Sequence, residues 1–205
     1  MAGLMVLAVA VAPLTASAHF IGNKWSYSGT YLLPLSYQNN TVYSAYSTAV
    51  TDAASNWYFT PTPSDLYSTT GAANIYVNTY YDSADSAWGF TRIWASHTTC
   101  VWFYCWTSND EIPYGISSSP YSLGSGWGNY TSSSISFNRY TMDGLSAFMK
   151  EKVATHEFGH AQGLHHTSCT SIMTQGYLSF NTPRQHDYYD FDWLYPGYWS
   201  AAYGC

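Results

Sequence analysis

Charge is the scarcest property of this sequence. Lys and Arg number six and Asp and Glu twelve in 205 residues, so charged side chains make up 9% of the chain. The basic residues stand singly apart from Lys150 and Lys152. No stripe exists that could neutralise a phosphate backbone, and no nucleic-acid partner is expected. Long hydrophobic runs are also missing. The apolar run at residues 4–12 falls well short of the roughly 20 residues that a membrane-spanning helix needs. No basic cluster follows it that would hold an anionic lipid surface. There is no internal repeat, long linker or compositional break, so one domain is expected. Aromatic residues, by contrast, reach 19% with 21 Tyr, the reverse of a disordered composition. With a net charge of −6, solubility must rest largely on hydroxyl and amide groups.

The apolar run is broken by Pro13 and followed by Ala16-Ser17-Ala18, which has the small-x-small form of a signal-peptidase site. Residues 1–18 therefore read as a signal peptide, although no Lys or Arg precedes the run. Residues 19–205 read as the mature domain, secreted, extracellular, monomeric and without a membrane anchor. Four cysteines suit an exported chain with disulfides, and no Cys-x-x-Cys spacing marks a thiolate metal site. Cys100 and Cys105 could close a small loop, and Cys169 would then pair with Cys205. Four cysteines allow three pairings, and the sequence does not choose among them.

Along the chain, residues 27–37 and 73–81 read as strands. Residues 43–58 read as a helix whose apolar face is Val42, Tyr46, Ala49, Val50, Ala53, Ala54 and Trp57, ended by Pro61 and Pro63. Residues 90–106 suggest one or two strands with a turn near His97. Residues 115–134, rich in Ser, Gly and Asn, read as a long loop, and residues 135–138 as a short strand. Residues 145–162 carry the clearest helical pattern, with Leu145, Phe148, Met149 and Val153 as its apolar stripe and Lys150, Glu151 and Lys152 toward water. Gly163 stops it by supplying a positive φ cheaply. Residues 185–194 suggest a last helix. The order is that of an α+β fold or a mixed sheet with helices on one side.

Chemistry concentrates in residues 156–166, which read HEFGHAQGLHH. Two histidines four apart on a helix project from one face a turn apart, so their imidazoles can reach one Zn²⁺. Glu157, pointing elsewhere, can act on a solvent ligand. Three protein ligands plus water is the pattern of a catalytic zinc. The third ligand must come from beyond Gly163. His166 lies ten residues after His156, and His165 competes with it. An HExxH string arises by chance in roughly one chain in a few hundred, and the added Gly and His make coincidence several hundredfold rarer.

The segment resembles the metzincin signature HExxHxxGxxH followed by a Met-turn, here Met173 in Ser171-Ile172-Met173-Thr174. Within that group it is most similar to the matrixin-like members, including bacterial ones. The resemblance is sharp over residues 145–174 and follows element order over 43–196. It implies a twisted, mostly parallel sheet with an antiparallel edge strand at the cleft, an active-site helix and a small C-terminal subdomain. It implies one catalytic Zn²⁺ on His156, His160 and His166, Glu157 as general base and then acid, Met173 as the floor under the metal, and protein or peptide substrates. Further structural zinc or calcium is not recognisable around Asp82, Asp85 and His97. Tyr177 is expected to pack and His19, His97 and His186 to lie at the surface. The competing reading is an inactive zinc-binding adhesin or binding module, against which the retained Glu157 argues.

Overall fold

The computed structural model describes residue 21 and residues 23–29, 32–112 and 127–196. In chain order these form β1 (Leu33–Asn39), α1 (Ser44–Tyr58), β2 (Ser64–Ser68), β3 (Ile75–Tyr80), β4 (Gly89–Val101), β5 (Tyr104–Glu111), β6 (Trp127–Asn138), the single turn α2 (Arg139–Met142), α3 (Ala147–Ala161) and α4 (Gln185–Leu194). All six strands join one sheet in the order β2-β1-β3-β6-β4-β5. β2, β1, β3 and β6 run parallel, and β4 is antiparallel to both β6 and β5. The expected α+β fold with a mostly parallel sheet is therefore present. The expected antiparallel edge is present too: β4 runs against the other strands, and its far half is covered by β5 in a hairpin.

Parallel neighbours cannot be joined by a tight turn, and α1 makes the crossover from β1 to β2. Its buried residues, Tyr46, Ala49, Val50, Ala53, Ala54 and Trp57, recur at helical period and pack on α3. Val42 is exposed, because the helix starts after it. The core lies between these helices and Leu35, Ile75, Val77, Ile135 and Phe137 of the sheet. Tyr37 and Phe158 meet there edge to face at 5.5 Å. α4 docks beside α1, with the Trp57 and Phe191 rings 5.8 Å apart.

Several expectations need correction. The first strand is shifted to Leu33–Asn39, and β2 was not anticipated. The turn between β4 and β5 falls at Trp102 and Phe103, with Trp102 at φ 59°, so His97 sits within β4. Cys100 and Cys105 are disulfide-bonded across this hairpin. Cys169 is also disulfide-bonded, while its expected partner Cys205 lies outside the described residues, as does the signal segment 1–18. The expected loop at 115–134 is a strand from Trp127 onward. There Tyr130, Ser133, Ile135 and Phe137 turn inward at alternate or nearly alternate positions, and the serines are small enough to lie in the sheet interior.

The largest difference concerns α3. Twelve of its fifteen residues are buried, including Lys150 and Lys152, whereas Phe148 is partly exposed. α3 is therefore not an amphipathic surface helix. It runs through the molecule with α1 on one side, the sheet on another and the segment after Leu164 on a third.

Candidate metal centre and its cleft

Each end of α3 is fixed. At the start, Ser146 Oγ accepts from the Met149 amide at 3.2 Å, satisfying one of the orphan donors of the first turn. At the end, Gly163 at φ 108° donates to His160 O at 2.8 Å, and Leu164 donates to Gly159 O at 3.0 Å. This paired arrangement is a Schellman cap, and it reverses the chain within two residues. A Cβ at Gly163 would lie 2.8 Å from Leu194 Cδ2, so space as well as φ demands glycine. Carbonyls left over at this end are also satisfied. Ala161 O accepts from the Trp25 indole and Gln162 O from the Tyr195 hydroxyl, each at 2.8 Å.

The reversal carries His166 back over the helix. The three Nε2 atoms of His156, His160 and His166 lie 3.0–3.1 Å from one another. His156 Nδ1 donates to Ile172 O at 2.8 Å and His160 Nδ1 to Leu164 O at 2.7 Å. A carbonyl can only accept, so both protons sit on Nδ1 and both Nε2 atoms present lone pairs. Two lone pairs facing each other at 3.1 Å repel unless a cation lies between them. Three imidazole nitrogens held tetrahedrally around zinc at about 2.0–2.1 Å would stand about 3.3 Å apart, so the donor set fits that ion closely. Among the described residues this is the one group of three such side chains able to share a metal. His165, the competitor, points its Nδ1 toward His166 O at 3.3 Å and does not join the cluster.

Electrostatics agree with the geometry. Burial pushes His156 down to about 3, and the neighbouring Lys152 charge and His166 add to the shift. Burial also lowers His160 well below the usual imidazole value, and it lowers His166 to about 4, helped by His165 and Lys152. All three rings are thus neutral donors near pH 7.

Met173 is fully buried beneath the cluster. A Cβ at Gly159 would stand 2.3 Å from its sulfur, so glycine at that helix position is what lets Met173 approach. Asp187, on the first turn of α4, holds this turn in place. It accepts from the Ile172 amide at 2.9 Å, from the Arg184 amide at 2.6 Å and from the Ser171 hydroxyl. A chain of contacts thus runs from Asp187 through the backbone of Ile172 to His156. Sequence reasoning missed Asp187. Its one trace is an acidic residue at the third position of a helix, where it caps the first turn.

Glu157 faces the same cleft. The Thr91 hydroxyl, on β4, donates to its Oε2 at 2.7 Å. Burial raises Glu157 to about 7, against the lowering influence of Thr91 and of Lys152. No sequence signal marked Thr91. The cleft is lined on one side by Trp88, Gly89 and Phe90 and on the other by Lys152, His156, Glu157 and Gly176, and encloses about 190 Å³. Tyr177 stands at its margin, exposed and edge-on to Trp88 at 4.9 Å.

His186 and His97 differ from expectation. His186 is buried, its Nε2 3.4 Å from Asp190 Oδ2. His97 is half-buried, stacked on Trp127 at 4.4 Å and bonded to Asp110 at 3.0 Å. His19 lies outside the described residues.

Comparison with curated proteins finds no relative that matches the chain. The sequence profile of the matrixin family matches residues 5–195, nearly the whole length, and takes in every element that builds the cleft. The histidine cluster, the glycine-ended helix, the methionine beneath it and this match agree, and the chain belongs to the matrixin family of peptidases.

Proposed function

We propose that this matrixin is a secreted zinc-dependent endopeptidase, with residues 19–205 as the mature domain, His156, His160 and His166 as metal ligands and Glu157 as the proton-transfer group. The observation that carries the reading is the convergence of three imidazole Nε2 atoms, two of them fixed as lone-pair donors, beside a buried carboxylate in one cleft. When bound, zinc supplies Lewis acidity, which acidifies water and polarises a peptide carbonyl. Ile172 O and Leu164 O hold the two helix histidines in the tautomer that binds metal. Glu157 accepts a proton as water oxygen bonds to the carbonyl carbon, and returns it to the nitrogen as the C–N bond breaks. A carboxyl group raised to about 7 can take and give that proton near neutral pH. Thr91 occupies Oε2 and leaves the other oxygen for the transfer.

Among the described residues, nothing pairs with β4 on its side away from β6 before Ile93, whose carbonyl accepts from the Ile112 amide at 2.8 Å, so Gly89 and Phe90, which line the cleft, offer a strand edge there. An extended peptide can pair there by backbone hydrogen bonds, as an endopeptidase requires. An adhesin or pure zinc binder would have no use for a buried, hydroxyl-bonded base next to the metal. Glu157→Ala separates the two readings. It should keep the fold and bind one zinc, yet lose casein or peptide hydrolysis by about 10²–10⁴-fold. Full activity in that variant would remove Glu157 from the mechanism, and activity unaffected by a zinc chelator would overturn the zinc reading.

A further inference from the structure

The proton transfers above make no use of Lys152, yet it lies on the same face of α3 as two of the ligands. Lys152, His156 and His160 follow one another at four-residue intervals, so they form a single stripe facing the cleft. One interval advances about 6 Å along the axis. An extended peptide advances about 3.4 Å per residue, so Lys152 lies within one or two substrate residues of the reaction centre. It is 2% exposed.

An ammonium has three donors. Among the described residues Lys152 Nζ has one hydrogen-bond partner, Thr174 O at 3.3 Å, and it takes part in none of the ion pairs. Lys150, two residues earlier, differs. It donates to Asp143 O at 3.1 Å and to Leu145 O, and it lies over the Tyr46 ring. Glu157 is the carboxylate that Lys152 senses, but that group is bonded to Thr91 and is needed for proton transfer. A buried cation with spare donors is costly unless a counter-charge meets it. The cleft therefore holds a cation whose missing partner has room to arrive with the substrate.

We propose that Lys152 is a specificity-determining residue that selects peptides carrying an aspartate or glutamate side chain beside the scissile bond. This rests on the endopeptidase reading above. Val153, Gln175 and Gly176 line the cleft with Lys152 and bring no second cation or acid. A carboxylate entering there gains a charge-assisted hydrogen bond that an amide of the same shape does not.

The test uses the zinc-loaded full chain. Zinc content and casein digestion are measured first, because they decide the endopeptidase reading on its own. Cleavage of a peptide pool then gives the residue preference around the cut. Matched peptides differing only as Glu or Gln at the preferred position should differ by about tenfold or more in kcat/KM, mostly through KM. Lys152→Met should bring that ratio close to one whatever it does to overall rate, and Lys152→Glu should reverse the charge preference. Binding of the same two peptides to the zinc-loaded Glu157→Gln variant, followed by fluorescence anisotropy, should show the same discrimination without turnover. An enzyme that digests casein but treats Glu and Gln alike overturns the proposal and leaves the endopeptidase reading intact. So does a Glu preference that persists in Lys152→Met, or a preference for a free C-terminal carboxylate alone. If neither Lys152 variant folds, the wild-type ratio and the anisotropy pair decide the matter.

Discussion

The cluster His156–His160–His166 and the pair His186–Asp190 are both largely buried, yet they are connected in opposite ways. His156 and His160 give their Nδ1 protons to backbone carbonyls and turn lone pairs toward one another. His186 instead points Nε2 at a carboxylate one helical turn away. Burial alone therefore does not make a histidine a ligand. The partner on the other ring nitrogen does, together with convergence on a shared point. α4 shows how fine the distinction is. His186 belongs to a buried acid–histidine pair within the helix, while the next residue, Asp187, orients His156 through the backbone of Ile172.

The sharpest way to break the contrast is to remove one member from each set. His160→Ala should abolish stoichiometric zinc and take peptide hydrolysis below detection, by metal analysis and a peptide assay. Asp187→Asn should come next. It weakens the acceptor that fixes the Met173 turn, and zinc affinity should fall by about 10–100-fold in a competition titration, with the fold retained. His186→Ala should leave zinc and kcat in place and lower unfolding stability by about 2 kcal/mol, read by denaturant titration. Loss of zinc there would erase the distinction between the two sets.

Smaller effects sharpen the picture at the cleft. Thr91→Val removes a hydrogen bond that favours ionised Glu157. Its carboxyl should then hold its proton to higher pH, so the acid limb of the kcat/KM profile should move upward. Lys152 should show in stability against pH. Burial lowers it from 10.5 to about 8. Between those values the unfolded chain binds the proton that the folded chain has released, so this residue's contribution rises with pH across that window. Below about pH 8 the cost of holding the cation is present in full. The stability difference between wild type and Lys152→Met should therefore shrink from pH 8 to 10.5 and be flat below 8.

The sequence made the histidine cluster legible because the spacing of His156 and His160 on a helix is fixed by geometry, and Gly163 marked where the chain turns. α1 was legible from its apolar period. β2 was not, being five residues in a Pro- and Ser-containing stretch without alternation. The end of β6 at Ile135 and Phe137 was legible, but its first part, Trp127 to Ser134, was obscured because serine reads as loop, while the sheet interior accepts it when its hydroxyl finds a carbonyl, as Ser133 finds Arg92 O. Lys152 was assigned to solvent because periodicity assumes that a helix has a wet face, and α3 is covered on nearly every side. Thr91 and Asp187 reach the site from distant positions, and nothing local to them encodes the contact.

The link from Asp187 to His156 also sets an order of assembly. A chain that emerges from its N-terminus presents both helix histidines well before residue 187 arrives. Until α4 docks, the Ile172 amide lacks its Asp187 acceptor, and the carbonyl that orients His156 is held by the bonds of its own turn alone. A partly made or truncated chain would thus carry every residue of the catalytic motif without every bond that orients it. Under the proposed endopeptidase function, activity would be completed only when the last described helix docks.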